Sequence, residues 1–363
     1  MPRRLSHGKP ISPERFKSDT AIKKLEIANS KKIRQLCKCL ILSDEALKKV
    51  MNEMADKMEK GLSDQPDIKS PLKMLPSFVR SLPNGSERGD YLALDLGGTN
   101  FRVLLIRLND RGAEMSGKIY SIPDAVKKGS GIALFDHIAA CIADFLDGKD
   151  LKTTKLPVGF TFSFPCLQET INVAKLISWT KGFNASDVIG NNVVQLLHEA
   201  CLRRKQFEDL NVEIVALLND TVGTLMACAF KENSCEIGVI LGTGSNACYM
   251  EKIEKCPKLK ALENDEYPKE MIINMEWGAL GDDGGLDFVR TRYDISVDKY
   301  TINPGRQMFE KMISGMYLGE IVRHVLLHLA EENVLFIYGS YDALNQPYSF
   351  PTKYVSEIER SHF

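Results

Sequence analysis

Several short stretches of the sequence put acidic, amide and hydroxyl side chains next to glycines or at the ends of apolar runs. The first is Asp95-Leu96-Gly97-Gly98-Thr99-Asn100-Phe101-Arg102. Its glycines let backbone N–H groups approach an anion closely. Thr99 and Asn100 are hydrogen-bond donors, and Arg102 can reach a phosphate. Asp95 is an acceptor suited to the water shell of a Mg²⁺ carried by a polyphosphate, because Mg²⁺ keeps several of its waters; direct metal ligation is not expected. The same run also reads as an ordinary hairpin with a turn-capping aspartate. It is not the Gly-x-x-x-x-Gly-Lys-Ser/Thr phosphate loop.

Gly242-Thr243-Gly244-Ser245-Asn246 offers similar hardware, with Gly242 lying 145 positions after Gly97. Two such turns facing one another would grip a polyphosphate from both sides. In Leu217-Leu218-Asn219-Asp220-Thr221-Val222-Gly223-Thr224 an apolar strand ends at Asn219-Asp220 and a helix begins. A carboxylate at the carboxyl end of a strand lies where α/β sheets place their sites, and could accept the proton of a hydroxyl attacking phosphorus. It could equally be a helix N-cap, worth about 0.5–2 kcal/mol, and the local sequence prefers the cap.

Further polar groups sit in apolar settings. Ser163 lies in Phe162-Ser163-Phe164-Pro165-Cys166, Thr180 and Lys181 lie between Trp179 and Phe183, and Glu276 stands beside Trp277. Singly, each reads as a satisfied polar group of a core. Together they suit a polyhydroxylated, uncharged ligand. Such a site rejects analogues lacking a hydroxyl, because its own buried polar groups would go unpaired.

The elements that must position these groups follow from hydrophobic periodicity. Residues Pro13 to Lys60 read as helical, with Gly61 as a stop. Strands are predicted at Tyr91–Leu96, Phe101–Leu108, Lys118–Ile122, Pro157–Ser163, Val212–Leu218, Ile237–Leu241, Ala247–Glu251 and Met271–Met275. Helices are predicted at Leu134–Phe145, at Ser186–Arg204 with Ser186 as N-cap, at Thr221–Phe230, and as one long helix Arg306–Ala330. Two apolar strands joined by a glycine turn occur twice, which suggests a duplicated α/β unit with a cleft between the copies.

Composition bounds the function class. The chain has 363 residues, 44% of them hydrophobic, and a formal net charge of −1. That length accommodates two domains with sizeable cores, and the balanced charge offers no broad field for nucleic acid. Nine dispersed cysteines without a Cys-x-x-Cys pair read as reduced thiols of a cytoplasmic protein. No segment has the roughly 20 apolar residues of a membrane helix.

The runs LALDLGGTNFRV, FTFSFPC, SWTKGF, LNDTVGT, ILGTGSNACYME, NMEWGALGDDG and NPGRQMFEKMISGMYLGEIVR, in this order, closely resemble the hexokinase family in its animal, single-unit form. The resemblance runs from about Asn29 to Glu359. It implies the actin-like ATPase (ribonuclease H-like) duplicated fold, with residues 1–84 belonging to a large domain, 85–218 forming a small domain and 219–363 returning to the large one. It implies transfer of the ATP γ-phosphate to the 6-hydroxyl of glucose or a related hexose, the entry step of glycolysis, with Mg²⁺ on the nucleotide. It assigns Asp220, over its capping role, as the base, with Lys181 beside it in the chemistry. Ser163, Phe164, Thr180, Lys181, Asn219, Asn246, Glu276, Gln307 and Glu310 go to the sugar pocket. Asp95, Gly97, Gly98, Thr99, Asn100 and Arg102, with Thr243 and Gly244, go to the phosphates and Mg²⁺.

Two departures from the family pattern shape the expectations. Arg3, Arg4, His7 and Lys9 replace the apolar N-terminal segment of mitochondrial relatives, so no membrane insertion is expected. The family continues past the position of Phe363 with an adenosine-binding strand and turn, so the second sheet is expected to show an unpaired edge. A non-catalytic hexose-binding module is therefore the alternative reading. A monomer or weak homodimer is the expected assembly.

Overall fold

The computed structural model describes residues 29–98, 100–151, 154–179, 182–205, 210, 212–336 and 339–361. Its strands are β1 (Leu75–Pro76), β2 (Gly89–Leu96), β3 (Asn100–Asn109), β4 (Gly112–Ser121), β5 (Leu156–Phe162), β6 (Cys166–Thr170), β7 (Val173–Leu176), β8 (Val212–Leu218), β9 (Ile237–Leu241), β10 (Ser245–Lys252) and β11 (Glu270–Asn274). They form a five-stranded sheet in the order β4-β3-β2-β5-β8, a four-stranded sheet in the order β1-β11-β10-β9, and a separate β6–β7 pair.

In the five-stranded sheet β4, β3 and β2 are antiparallel, while β5 and β8 continue it in parallel. Parallel neighbours need long crossovers, and the helix Gly131–Asp147 lies in the connection between β4 and β5. Side chains alternate faces along a strand. Leu92, Leu94 and Leu96 of β2 and Val158, Phe160 and Phe162 of β5 therefore enter one core, together with Leu134, Phe135 and Ile138 of that helix. In the four-stranded sheet Met271 and Ile273 face a second core, against Leu62, Leu72 and Met74. The opposite face, with Ile272 and Cys248, packs on Val222 and Leu225 of the helix Asp220–Ala229.

The structure redraws several predicted boundaries. The N-terminal helical reading breaks within its described part. Residues 29–36 are helical, a short 3₁₀ turn covers Lys38–Leu40, and a fresh helix runs Asp44–Leu62. Ser43 caps that helix by accepting from the Ala46 N–H at 3.2 Å. The helix ends one residue past the predicted stop at Gly61. Packing requires the glycine, because a Cβ there would come 2.4 Å from Met74 Cγ and 2.6 Å from the Leu72 carbonyl oxygen.

The helix predicted from Ser186 begins at Val193. Asp187 and Gly190 take positive φ, and residues 189 and 192 bridge to β7 instead, so Ser186 caps nothing. The long helix Arg306–Ala330 is two helices, Met308–Ile313 and Gly315–Glu331, separated by Ser314 in extended conformation. The interruption frees Gly315 N–H and Met316 N–H for Gly242 O (2.8 Å) and Thr243 O (3.1 Å). No described helix is long and apolar enough to cross a membrane.

Candidate functional site

β8 ends at Leu218, and the next two residues start the helix Asp220–Ala229. Asn219, not Asp220, is its N-cap: Asn219 Oδ1 accepts from the Thr221 N–H at 3.0 Å and the Thr221 hydroxyl at 2.7 Å. Asp220 is the first helical residue, and its Oδ1 accepts from the same Thr221 N–H at 2.9 Å. The predicted cap was therefore misplaced by one residue. The amide does the capping, because its oxygen reaches the second N–H of the helix, leaving the carboxylate at the start of the helix, where the helix dipole favours negative charge.

Asn246, on β10, joins this strand end to the second sheet. Its Nδ2 donates to Asn274 Oδ1 at 2.8 Å and lies 3.4 Å from both Asn219 Oδ1 and Glu276 Oε1. Its Oδ1 accepts from the N–H groups of Ala247 (2.8 Å) and Trp277 (3.3 Å). Asn274 Nδ2 in turn donates to Glu276 Oε1 at 2.9 Å. Glu276 sits where β11 passes into the turn Trp277–Ala279, at φ 54° and ψ 47°. A non-glycine residue held in that left-handed region costs about 1–3 kcal/mol unless its surroundings enforce it. Here Asn246 and Asn274 hold the carboxylate.

Two further residues join from the segment after Gly305. Glu310 Oε2 accepts from the Ser245 N–H at 2.8 Å, and Ser245 Oγ accepts from Trp277 Nε1–H at 2.9 Å. Gly244 makes this approach possible, since a Cβ there would lie 2.5 Å from Glu310 Oε2. Gln307 is also left-handed, at φ 58°, and the bare Cα of Gly278 lies against its side chain; a Cβ on Gly278 would be 2.3 Å from Gln307 Oε1.

The end of β5 supplies the opposite wall. Ser163 is buried, and its N–H donates to Leu96 O at 3.3 Å. Phe164 is wedged among Phe162, Trp179 and Phe183, with ring centroids 4.9–5.0 Å apart. A cavity of about 20 Å³, lined by Phe162, Phe164, Cys166, Asn219 and Asn274 among others, lies between the two sheets. That is room for about one water. The Cys166 thiol is pushed up to about 12 by burial and then by the charge of Glu276. Glu276 is thus within electrostatic reach of the residues that follow β5.

The first glycine turn is a hairpin, as predicted, with Gly97 N–H donating to Asn100 O at 3.2 Å and Leu96 paired with Phe101. Asp95 and Arg102 face each other across β2 and β3, with Arg102 Nη1 3.2 Å from Asp95 Oδ2. Arg102 is half exposed there and meets the aspartate in this structure. Among the described residues nothing lies nearer than 3.7 Å to a Cβ built on Gly97. At the second turn Gly242 N–H donates to Gly244 O at 2.9 Å.

The structure therefore gathers Asn219, Asp220, Asn246, Glu276 and Glu310 into one network and places Gln307 against its Gly278 turn. It sets Asp95 with Arg102 on the first hairpin, next to Gly97, Gly98 and Asn100. Thr99, Thr180 and Lys181 lie outside the described residues. Sequence reasoning singled out neither Asn274 nor Ser245 as site residues, although both carry the network. Asn274 had a signal, an amide closing an apolar strand two residues before Glu276.

Two family models, each described as hexokinase, match the chain, one over residues 32–230 and the other over 236–363. Hexokinase-1 of Mus musculus is 50% identical over 321 residues, 88% of this chain and 32% of that protein. Hexokinase-3 of Homo sapiens is 53% identical over 318 residues, 88% of this chain and 33% of that protein. The chain thus spans about a third of the length of these curated relatives. Among solved structures, a hexokinase from Schistosoma mansoni complexed with glucose superposes with a TM-score of 0.82 at 42% identity, covering 92% of this chain and 74% of that one. A second solved hexokinase gives a TM-score of 0.70 at 33% identity, with 90% and 71% covered.

Proposed function

The chain belongs to the hexokinase family and has its actin-like ATPase type of fold, and we propose on that footing that it takes glucose or a related hexose and carries the residues for its ATP-dependent phosphorylation at the 6-hydroxyl. The observation that carries this reading is the continuous network Asn219–Asn246–Asn274–Glu276, which starts beside Asp220 at the carboxyl end of β8. Amides and carboxylates fixed this way present paired donors and acceptors to the hydroxyls of a sugar. Glu310, Gln307, Ser163, Phe164, Thr180 and Lys181 complete the pocket in this reading.

Asp220 is the proton acceptor for the 6-hydroxyl. It stands at the start of its helix, and Asn219 fixes the backbone that carries it. Lys181 supplies positive charge near the phosphoryl group as it moves. Asp95, Gly97, Gly98, Thr99, Asn100 and Arg102, with Thr243 and Gly244, hold the phosphates of ATP. The open backbone at Gly97 fits an anion, and the half-exposed Arg102 guanidinium can turn toward it. Among the described residues no group of three or more His, Cys, Asp or Glu side chains gathers to hold a metal. In this reading Mg²⁺ would arrive on the nucleotide, neutralising phosphate charge, with Asp95 reaching its water shell. Residues 85–218 and the remainder act as the two lobes that close on the sugar, excluding water and aligning the 6-oxygen.

The test is a coupled assay for glucose 6-phosphate on the purified chain and on Asp220→Ala, run beside glucose binding read from tryptophan fluorescence. Loss of a general base costs about 10²–10⁴-fold in turnover, with glucose binding retained. Turnover of Asp220→Ala within a few-fold of the parent removes Asp220 from this role. Glucose-dependent quenching with no turnover in the parent chain leaves a hexose-binding module instead.

A further inference from the structure

Gln307 is the least conventionally held residue of the proposed sugar pocket. It precedes the helix Met308–Ile313 in a left-handed conformation, and its own side chain caps none of that helix's N–H groups. Side chains longer than asparagine rarely stay in this region without an outside constraint. The constraint here is Asp282, 25 residues earlier in the chain. Its Oδ2 accepts from the Gln307 N–H at 3.1 Å and its Oδ1 from the Met308 N–H at 2.9 Å. One carboxylate thus bridges two consecutive N–H groups and fixes the peptide plane between them.

The same two segments are joined twice more. Phe309 N–H donates to Leu280 O at 3.1 Å. Gly278 leaves space that the Gln307 side-chain oxygen occupies, a distance of 2.3 Å from a built Cβ. These contacts tie the turn that begins at Glu276 to the segment that carries Gln307 and Glu310. Asp282 is half buried, and burial pushes its carboxyl pKa up, against the pull of its two N–H donors and of Arg306 and Lys311. A group that costs desolvation at this position, with both oxygens committed to backbone, is a specific clamp and not a solvated surface charge.

We propose that Asp282 is a positioning residue for hexose recognition, holding the Gln307 backbone so that the Gln307 amide faces the sugar, without touching the sugar itself. This rests on the reading of Gln307 as a sugar contact. Asp282 is not one of the residues assigned to the pocket above, although it lies in the run NMEWGALGDDG six positions after Glu276, because the backbone it holds is 25 residues further along the chain.

A double-mutant cycle on the full chain tests this, with glucose Kd read from tryptophan fluorescence and melting temperature measured alongside. Removing a charged acceptor from two N–H groups predicts a rise in Kd of about tenfold for Asp282→Ala. On a Gln307→Ala background the same change is expected to add less than about twofold, because coupled residues are not additive. Asp282→Asn keeps one acceptor and falls between parent and Asp282→Ala; it carries the cycle where the alanine variant does not fold. Equal effects on both backgrounds mean general loosening and overturn the proposal, as does parent-like affinity in Asp282→Ala. A parent chain with no glucose affinity overturns the sugar-pocket reading itself, and the positioning role with it.

Discussion

The two glycine hairpins share a sequence plan and are supported in opposite ways. β2, which leads into Gly97-Gly98, is an inner strand: β3 pairs with it antiparallel on one side and β5 parallel on the other. Its Leu92, Leu94 and Leu96 are wholly buried. β9, which leads into Gly242-Thr243-Gly244, pairs only with β10 among the described residues. Its Ile237, Val239 and Leu241 are 63%, 39% and 70% exposed. One hairpin is held from below by its sheet. The other is held from outside, by Gly315 and Met316 N–H groups on its carbonyls and by Glu310 on Ser245. Similar turn chemistry does not require similar burial; it requires that something immobilise the turn.

This contrast predicts very different costs for changes in the sheets behind the two hairpins. Phe160→Ala, in the strand that flanks β2, empties a fully buried site and is expected to cost about 3–5 kcal/mol. Val239→Ala on the open face of β9 is expected to stay within about 0.5 kcal/mol. Urea unfolding midpoints of the two variants check this, and a large cost at Val239 would mean that the β9 face is covered in solution. The next effect in size concerns Gly238, on the other face of β9. A Cβ there would lie 2.5 Å from Thr221 O, 2.9 Å from Leu225 Cβ and 3.0 Å from Cys248 Sγ. Gly238→Ala must push away the helix that begins at Asp220, at a cost of about 1–3 kcal/mol. Calorimetric melting of this variant measures how firmly that helix is seated.

The strands were the most legible part of the fold. β8 and β9 begin and end where their apolar runs do, because turn residues bound each run. The helices were less legible, because tertiary partners decide where they break. Ser314 interrupts a continuous helical pattern so that two N–H groups reach the second hairpin, and residues 189 and 192 are captured by β7. β1 and the β6–β7 pair were not foreseen, since two- to five-residue strands depend on neighbours remote in sequence. At the site, local spacing alone left Asp220 as a cap, and only the set of motifs in order pointed to chemistry. The structure then moved the cap to Asn219 and showed what spacing cannot, the Asn246–Asn274–Glu276 links and the Asp282 clamp.

The smallest expected difference tests the hairpins themselves. Gly97 has no positive φ, and its nearest neighbour to a built Cβ is Asn100 O at 3.7 Å, so Gly97→Ala fits the turn it occupies. Gly244 also lacks a positive φ, but its Cβ would fall 2.5 Å from Glu310 Oε2. Glu310 can swing aside, since the clash is with the end of a flexible side chain, but in doing so it releases the Ser245 N–H. A hydrogen bond to a charged group contributes about 1.5–3 kcal/mol, and part of that is recovered where water meets the displaced carboxylate of the half-buried Glu310. Gly244→Ala should therefore lower stability by about 1 kcal/mol and Gly97→Ala by less than about 0.5 kcal/mol. Glu310→Gln keeps an acceptor for Ser245 and should stay closer to the parent than Gly244→Ala. Denaturant midpoints for the three variants decide the matter: equal losses at Gly97 and Gly244 would show that the sheet holds both turns, and would remove the distinction between a turn held from below and one held from outside.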